Sequence, residues 1–120
     1  MTNNMFFIAN WKMFGDLKSI NSTKKVIKLS KHKKYKGAKI IYCPPYTLLE
    51  HFSKITKNTR VSVGAQNCHY LENPGAFTGS VNADLIKSAG ASYVIIGHSE
   101  NRLSGDSDKI INLKIKSALK

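Results

Sequence analysis

The fold is decided by residues 8–13, Ile-Ala-Asn-Trp-Lys-Met, and by residues 95–102, Ile-Ile-Gly-His-Ser-Glu-Asn-Arg. Each stretch begins with apolar, often β-branched residues and then changes abruptly to polar ones. This pattern is typical of a buried strand whose last side chains enter a site. We therefore predict two strands that deliver Asn10, Lys12, His98 and Glu100 to a functional site.

Four short apolar runs of this kind recur, and longer segments with helical spacing separate them. The runs cover residues 5–9, 38–43, 60–64 and 92–97. Strands that alternate with helices predict βαβ units, a parallel sheet and right-handed crossovers. Runs such as Val94-Ile95-Ile96 are apolar at successive positions, which predicts a sheet covered on both faces.

Four segments carry the signals of helices: residues 17–28, 46–50, 81–88 and 106–119. Asp16 precedes the first segment, where a carboxylate suits the positive end of the helix dipole. Pro44 and Pro45 precede the second, and proline is well tolerated where a helix begins. Gly90 follows the third and is a natural left-handed cap.

Periodicity alone leaves two architectures open, an open doubly wound sheet and a closed barrel. A Gly-x-Gly-x-x-Gly turn after the first strand would indicate a dinucleotide-binding fold, and this sequence has none there. In parallel barrels the functional site lies at the carboxyl ends of the strands. Asn10 and Lys12 follow the first strand, Asn67 the third, and His98 and Glu100 the fourth. We expect these side chains to share one site.

Three ordered segments resemble the triosephosphate isomerase family. They are residues 8–13, residues 64–67 (Gly-Ala-Gln-Asn) with 75–79 (Gly-Ala-Phe-Thr-Gly), and residues 95–102. The resemblance implies an α/β fold, the N-terminal half of a TIM (β/α)8 barrel with four βα units and parallel strands. A complete barrel of this kind has about 250 residues. Residues 1–120 are therefore expected to form one truncated barrel domain, without the second half.

The resemblance also implies the activity of an intramolecular aldose–ketose isomerase in glycolysis and gluconeogenesis. Its reaction interconverts dihydroxyacetone phosphate and D-glyceraldehyde 3-phosphate through an enediol, and it requires no metal and no organic cofactor. The proton-abstracting base of the family is a glutamate of the sixth strand, which cannot be placed in 120 residues. We therefore expect these residues alone to be inactive.

The resemblance assigns roles to four residues of the predicted site. His98, Lys12 and Glu100 are the catalytic residues, and Lys12 with Asn10 binds the substrate. His98 is a neutral electrophile that polarises the substrate carbonyl, and Glu100 forms an ion pair that positions the Lys12 ammonium. The fixed charge of Lys12 would also stabilise an enediolate-like transition state.

Two further sets of residues take their roles from the resemblance. The amides of Gln66 and Asn67 are expected to satisfy backbone groups and to help orient the turn that carries Lys12. The loop of residues 68–79 is long for a connection that usually has about 2–6 residues. In the family this loop enters a partner subunit. The resemblance therefore predicts a homodimer in which Phe77 and Thr78 of the loop contact the partner.

Two other functions stay open. A half-barrel could be a non-catalytic module that self-associates, because its first and fourth strands present unpaired edges. The net charge of +12, with nine lysines and no acidic residue from Leu17 to Leu49, invites a basic nucleic-acid-binding module. No zinc spacing, helix-turn-helix pattern or aromatic-basic RNA motif accompanies these lysines. We expect no specific nucleic-acid partner.

Cysteine usage and hydropathy indicate the compartment. Cys43 and Cys68 show no Cys-x-x-Cys spacing, which indicates neither a metal pair nor a redox motif. Two thiols in a sequence without a recognisable signal peptide favour a reducing cytosol. No apolar run approaches the ~20 residues that span a membrane. We therefore expect a cytoplasmic protein with no membrane partner.

Overall fold

The computed structural model describes residues 4–120, which form four parallel strands with helices between them. The strands are β1 (Met5–Asn10), β2 (Ala38–Cys43), β3 (Val61–Ala65) and β4 (Tyr93–Val94). The α-helices of this range are α1 (Lys24–Ser30), α2 (Leu49–Thr56), α3 (Ala83–Ser88), α4 (Ser99–Leu103) and α5 (Asp108–Ala118). Short 3-10 turns cover Leu17–Thr23, Lys33–Tyr35 and Tyr46–Leu48. The predicted half-barrel of four βα units is confirmed.

The spatial order of the strands is their order along the chain, β1-β2-β3-β4. All three pairings are parallel, and β1 pairs with β2 from Met5 opposite Ala38 to Asn10 opposite Cys43. The carboxyl ends of the strands therefore lie at one edge of the sheet. That edge receives the polar residues that follow each strand.

The hydrophobic core lies between the sheet and its helices. Phe52 of α2 is fully buried, and its ring centroid is 5.2 Å from that of Trp11 and 5.6 Å from that of Tyr42. Alternate residues of β3 belong to the same cluster, as the two-residue period of a strand requires. Trp11 comes directly after β1, so its packing fixes the chain just before Lys12.

β1 departs from the prediction that both faces of the sheet are covered. Its residues Met5, Phe6, Phe7 and Ile8 keep 52–63% of their surface exposed. A groove of about 460 Å3 lies beside it, lined mainly by apolar side chains of β1, α1 and β2. The prediction was wrong here because residues 4–120 supply neither a strand at the other edge of β1 nor enough packed side chains to cover its two faces.

The first two predicted helices begin as 3-10 turns rather than as α-helices. Asp16 caps the first turn by accepting a hydrogen bond from the Ser19 N–H at 3.0 Å. Ser22 and Thr23 then each donate a side-chain hydrogen bond to the carbonyl three residues back, at 2.7 Å. Such local bonds compete with the α-helical ladder and favour the tighter turn.

The remaining predicted elements lie close to their expected places. Asn82 caps α3, and the φ of +96° at Gly90 confirms the left-handed cap that follows. Ser107 caps α5 by accepting the Ile110 N–H at 3.3 Å. The fourth strand is shorter than predicted, since only Tyr93–Val94 pair with β3. Within residues 4–120, none of the helices has the length and apolar character needed to cross a membrane.

Candidate active site

The turns that follow β1, β3 and β4 meet at the carboxyl edge of the sheet. Gln66, one residue after β3, donates from Nε2 to the carbonyl oxygens of Lys12 and Cys43, each at 2.8 Å. The Lys12 ammonium in turn contacts Glu100, which follows β4, at 2.7 Å. The strand ends therefore do share one site, and two of its groups lie 88 positions apart in the chain.

Lys12 has an unusual backbone conformation. Its φ is +55°, in the left-handed region that costs a residue with a Cβ atom about 1–2 kcal/mol. Its N–H donates to Oδ1 of Asn10 at 2.9 Å, and the Gln66 amide holds its carbonyl. These two hydrogen bonds and the packing of Trp11 hold the strained turn in place. Backbone strain of this kind is concentrated at functional sites.

The side chains of Lys12 and Glu100 form an ion pair with an Nζ–Oε1 distance of 2.7 Å. They are 50% and 54% exposed, so the pair contributes little to the free energy of folding. The hydrogen bond from Lys12 lowers the pKa of the Glu100 carboxyl, which therefore stays ionised. An ammonium that is held in this way and still faces solvent can bind an anionic group.

His98 is the N-cap residue of α4. Its Nδ1 accepts a hydrogen bond from the Glu100 N–H at 3.1 Å. A nitrogen that accepts carries no proton, so the ring is neutral in this geometry and its proton lies on Nε2. The Glu100 Oε2 is 3.6 Å from the same Nδ1, a contact that would be an ion pair only if the ring were protonated. The backbone N–H can only donate, so we assign the neutral ring.

The cluster combines a cation with a neutral N–H donor. Lys12 supplies the positive charge, and Nε2 of His98 supplies a donor for an oxygen that gains negative charge during a reaction. Asn10 uses Oδ1 for the Lys12 N–H, which leaves its amino group for a ligand. No group of three or more His, Cys, Asp or Glu side chains placed to hold a metal occurs in the described part of the chain.

Asn67 lies elsewhere than predicted. Its Oδ1 accepts a hydrogen bond from Nζ of Lys114 at 2.9 Å, and Lys114 also bonds Oδ2 of Asp106 at 2.6 Å. The hydrogen bond from Gln66 to the turn of Lys12 is confirmed. Asn67 does satisfy a backbone group, because its Oδ1 accepts the Cys68 N–H at 2.9 Å, but the prediction that it helps to orient the Lys12 turn is wrong. Successive side chains of an extended segment point in opposite directions, so Asn67 faces α5 when Gln66 faces Lys12.

Two cations of this region were not predicted from the sequence. Arg102 donates from Nε to the Gly97 carbonyl at 3.1 Å and pairs with Asp108 at 2.8 Å. Lys114 is buried on α5. The sequence could have predicted the burial of Lys114, because this residue lies three positions after the buried Ile111 on the apolar stripe of the helix. A lysine at such a position is rarely buried unless it is paired.

The loop of residues 68–79 stands apart from this cluster. The Phe77 ring packs against His69 with a centroid distance of 4.7 Å, and Thr78 is exposed. Within residues 4–120, no hydrogen bond or ion pair joins Phe77 or Thr78 to Lys12. The structure thus brings together four of the five residues predicted at the strand ends, all but Asn67, and leaves the two predicted loop residues on a separate surface.

The chain is similar in sequence and in structure to known proteins. The sequence model of the family described as triosephosphate isomerase matches residues 5–120. Relatives with that name from Aquifex aeolicus and Dictyoglomus thermophilum are 41% and 43% identical, over 92% of this chain and 44% of each relative. A crystal structure of triosephosphate isomerase from Bartonella henselae has a TM-score of 0.85 at 35% identity, covering 95% of this chain and 46% of that one. The chain spans about half the length of the proteins it matches.

Proposed function

The chain belongs to the triosephosphate isomerase family, and on that premise we propose that it supplies one half of an active site that interconverts dihydroxyacetone phosphate and D-glyceraldehyde 3-phosphate. One observation carries the proposal. The Lys12–Glu100 ion pair, at 2.7 Å, lies beside a His98 ring whose Nδ1 is already bonded to a backbone N–H. A phosphate and a carbonyl are the groups that such a cation and such a donor suit.

Lys12 acts first as the binding group for the anionic substrate. Glu100 holds the Lys12 ammonium in position, so the side chain loses little conformational freedom when the phosphate ester binds. Asn10 lies next to Lys12 in the same turn. The same charge stabilises the negative oxygen that develops as the enediol forms. The ammonium serves binding and catalysis from one position.

His98 polarises the substrate carbonyl through Nε2–H. A neutral imidazole can give this proton to one substrate oxygen and recover a proton from the other, which is the transfer that an enediol needs. The bond from the Glu100 N–H to Nδ1 keeps the ring in the required tautomer. The reaction proceeds by proton transfer alone, without a metal or an organic cofactor.

The base that removes the carbon-bound proton comes from the half of the barrel that residues 1–120 do not contain. Glu50 pairs with Lys54 at 2.6 Å, and Glu72 pairs with Lys120 at 2.8 Å, so neither carboxylate belongs to the cluster. Residues 1–120 make up one truncated barrel domain. By themselves they bind the substrate weakly and do not isomerise it.

The partners and location follow from the same assignment. The protein acts in glycolysis and gluconeogenesis in the cytoplasm, where the free buried thiols of Cys43 and Cys68 stay reduced. The enzyme is a homodimer in which Phe77 and Thr78 of the exposed loop contact the partner subunit. It has no specific nucleic-acid partner and no membrane partner.

A second candidate function, a half-barrel that self-associates, is favoured by one observation. Four consecutive apolar residues of β1 are more than half exposed, next to a strand edge that is unpaired within residues 4–120. Exposed strands of this kind pair readily with other chains. The two candidates differ in the residues they require, since self-association needs β1 and isomerisation needs Lys12 and His98.

A chimeric enzyme tests the proposed function. Residues 1–120 are joined to the C-terminal part of the Aquifex aeolicus relative, starting where the match ends, and triose phosphate turnover is measured. We expect the chimera to be active and Lys12→Met and His98→Gln each to lower kcat/KM by about 100-fold or more. Lys54→Met and His51→Gln, on the exposed side of α2, are matched controls that keep full activity. A chimera that folds but is inactive would contradict the proposal. So would full activity in Lys12→Met or His98→Gln.

A further inference from the structure

We propose that Arg102 is the positioning residue of His98, because it holds the backbone turn that decides which imidazole nitrogen carries the proton. The inference rests on the proposed function and deepens it, since it names what keeps the electrophile of that site in its working tautomer. Arg102 itself does not touch the substrate.

Arg102 binds two consecutive carbonyl groups of this turn. Its Nε donates to the Gly97 carbonyl oxygen at 3.1 Å, and its backbone N–H donates to the His98 carbonyl oxygen at 3.0 Å. Its Nη1 also contacts Oδ1 of Asp108, at the start of α5, at 2.8 Å. The side chain of Arg102 thus links the residue before His98 to the beginning of α5.

The turn needs this external support. Gly97 has a φ of +73°, and the chain changes from this left-handed residue to an extended His98 and then into α4. α4 has only five residues, and an isolated helix of that length is not stable in water. The position of its first N–H groups, including that of Glu100, therefore depends on contacts from outside the helix.

Two groups of Glu100 compete for Nδ1 of His98. The Glu100 N–H donates to Nδ1 at 3.1 Å, which requires that nitrogen to be unprotonated. The Glu100 carboxylate lies 3.6 Å from the same atom and would attract a proton there. While Arg102 holds the turn, the N–H bond prevails and the proton stays on Nε2. If the Gly97 carbonyl is released, the turn relaxes and the carboxylate gains the advantage.

The shape of the guanidinium matters more than its charge. Asp108 is almost fully exposed, so its ion pair with Arg102 contributes little. The Nε–H that reaches Gly97 belongs to the planar fork of arginine, and a lysine has no equivalent donor at that distance from its backbone. Arginine is therefore the residue type that this position requires.

Nitrogen-15 NMR of the imidazole rings tests the proposal on the 120-residue chain. At a pH of about 8, above the ordinary pKa of histidine, the shifts of the two ring nitrogens report the tautomer. The His98 signals are identified by their loss in His98→Gln. We expect the Nε2–H form in the unsubstituted chain. In Arg102→Met the share of the Nδ1–H form should rise roughly fivefold, the factor that corresponds to losing one hydrogen bond.

Two further variants separate this role from a general effect on folding. Asp108→Ala removes the ion pair and keeps the Nε bond to Gly97, so His98 should be unchanged. Arg102→Lys keeps the charge and lacks Nε–H, so it should shift His98 as Arg102→Met does, and it serves as the test if the Met variant loses its dispersed amide spectrum. Unchanged His98 shifts in Arg102→Lys, or equal shifts in Asp108→Ala, would overturn the proposal. The NMR measurement does not depend on turnover. The role of Arg102 is therefore tested separately from the isomerase assignment.

Discussion

Lys114 and Asp106 form an ion pair with an Nζ–Oδ2 distance of 2.6 Å, and their side chains are only 7% and 17% exposed. Lys114 also donates to Oδ1 of Asn67 at 2.9 Å. The pair therefore fixes α5 against the turn that follows β3 and against the segment between α4 and α5. It differs from the Lys12–Glu100 pair, which is open to solvent.

Removing one partner of this buried pair should destabilise the chain strongly. Asp106→Ala leaves a buried ammonium without its counter-charge, and we expect the free energy of unfolding to fall by about 3–5 kcal/mol. In the double variant Asp106→Ala, Lys114→Met the free energy of unfolding should fall by less, because no unpaired charge is then buried. Urea unfolding followed by circular dichroism measures both. Lys120→Met breaks the exposed pair with Glu72 and should cost less than about 1 kcal/mol. Equal losses in the single and double variants would contradict this account.

Gly90 and Gly79 should respond differently to alanine. Both have positive φ, +96° and +81°, and this strain costs a residue with a Cβ atom about 1–2 kcal/mol. A Cβ atom at Gly90 would also overlap the side chain of Ser53, whereas the space around Gly79 is open. We expect Gly90→Ala to lower the free energy of unfolding by about 1–3 kcal/mol more than Gly79→Ala. Thermal unfolding compares them, and Gly90→Ala should cost less when it is made in a Ser53→Gly background than in the unsubstituted chain, with Ser53→Gly alone as the reference. An equal cost of Gly90→Ala in the two backgrounds would exclude the steric cause.

The stability of the chain should fall at alkaline pH partly through Tyr46. Burial, with a smaller effect from Cys68, raises the pKa of Tyr46 from 10.0 to about 12. The Tyr46 hydroxyl donates to the Asn67 carbonyl at 2.6 Å, a bond that needs the proton. Because the pKa is higher in the folded state, the stabilisation is complete below pH 10.0 and is lost as the pH rises through about 12.

Urea unfolding at a series of pH values measures this loss. In Tyr46→Phe the unfolding free energy should decline less steeply over this alkaline pH range. Tyrosinate absorbance should show one fewer tyrosine titrating at the high-pH end. Burial raises the pKa of Cys43 to about 11, and this thiol titrates in both proteins, so the comparison isolates Tyr46. Tyr93→Phe, at a position on the surface of β4, is the control. A decline of the same steepness in Tyr46→Phe would show that the hydroxyl does not cause it.

β1 should make the 120-residue chain self-associate. Its exposed apolar side chains lie next to a strand edge that no other described residue pairs with, which favours pairing with another chain. We expect sedimentation velocity to show species larger than a monomer, and Ile8→Lys to shift the distribution toward the monomer. Leu103→Lys changes an apolar residue that is even more exposed but lies far from β1 in the sequence, and it should have no such effect. A single sharp monomer peak for the unsubstituted chain would disprove the self-association.

The placement of Lys12 and Glu100 could be predicted because its signal is local. An apolar run that ends in polar residues marks the end of a strand, and parallel strands bring such ends to one edge. The alternating direction of side chains, which turns Asn67 away from Lys12, is an equally local property. Which of Gln66 and Asn67 faces Lys12, however, depends on where β3 ends. One residue of uncertainty in a strand end reverses the direction of each following side chain.

Other features depended on neighbours that the sequence pattern does not reveal. The contact from Arg102 to Gly97 requires the backbone turn at residue 97, and no periodicity specifies that turn. The 3-10 geometry before α1 arises from the hydroxyl groups of Ser22 and Thr23, which a search for apolar spacing ignores. The exposure of β1 depends on a missing neighbour rather than on its own composition, which is that of a buried strand.

The agreement between strand order and chain order has a consequence for synthesis on the ribosome. Each new strand pairs with the one made just before it, so β2 can join β1 and β3 can join β2 while later residues are still being translated. The Lys12–Glu100 contact must wait longer, because it joins the first connecting turn to the fourth across 88 positions. The sheet can therefore form progressively during elongation, whereas the charged contact at its mouth marks the completion of the fourth unit.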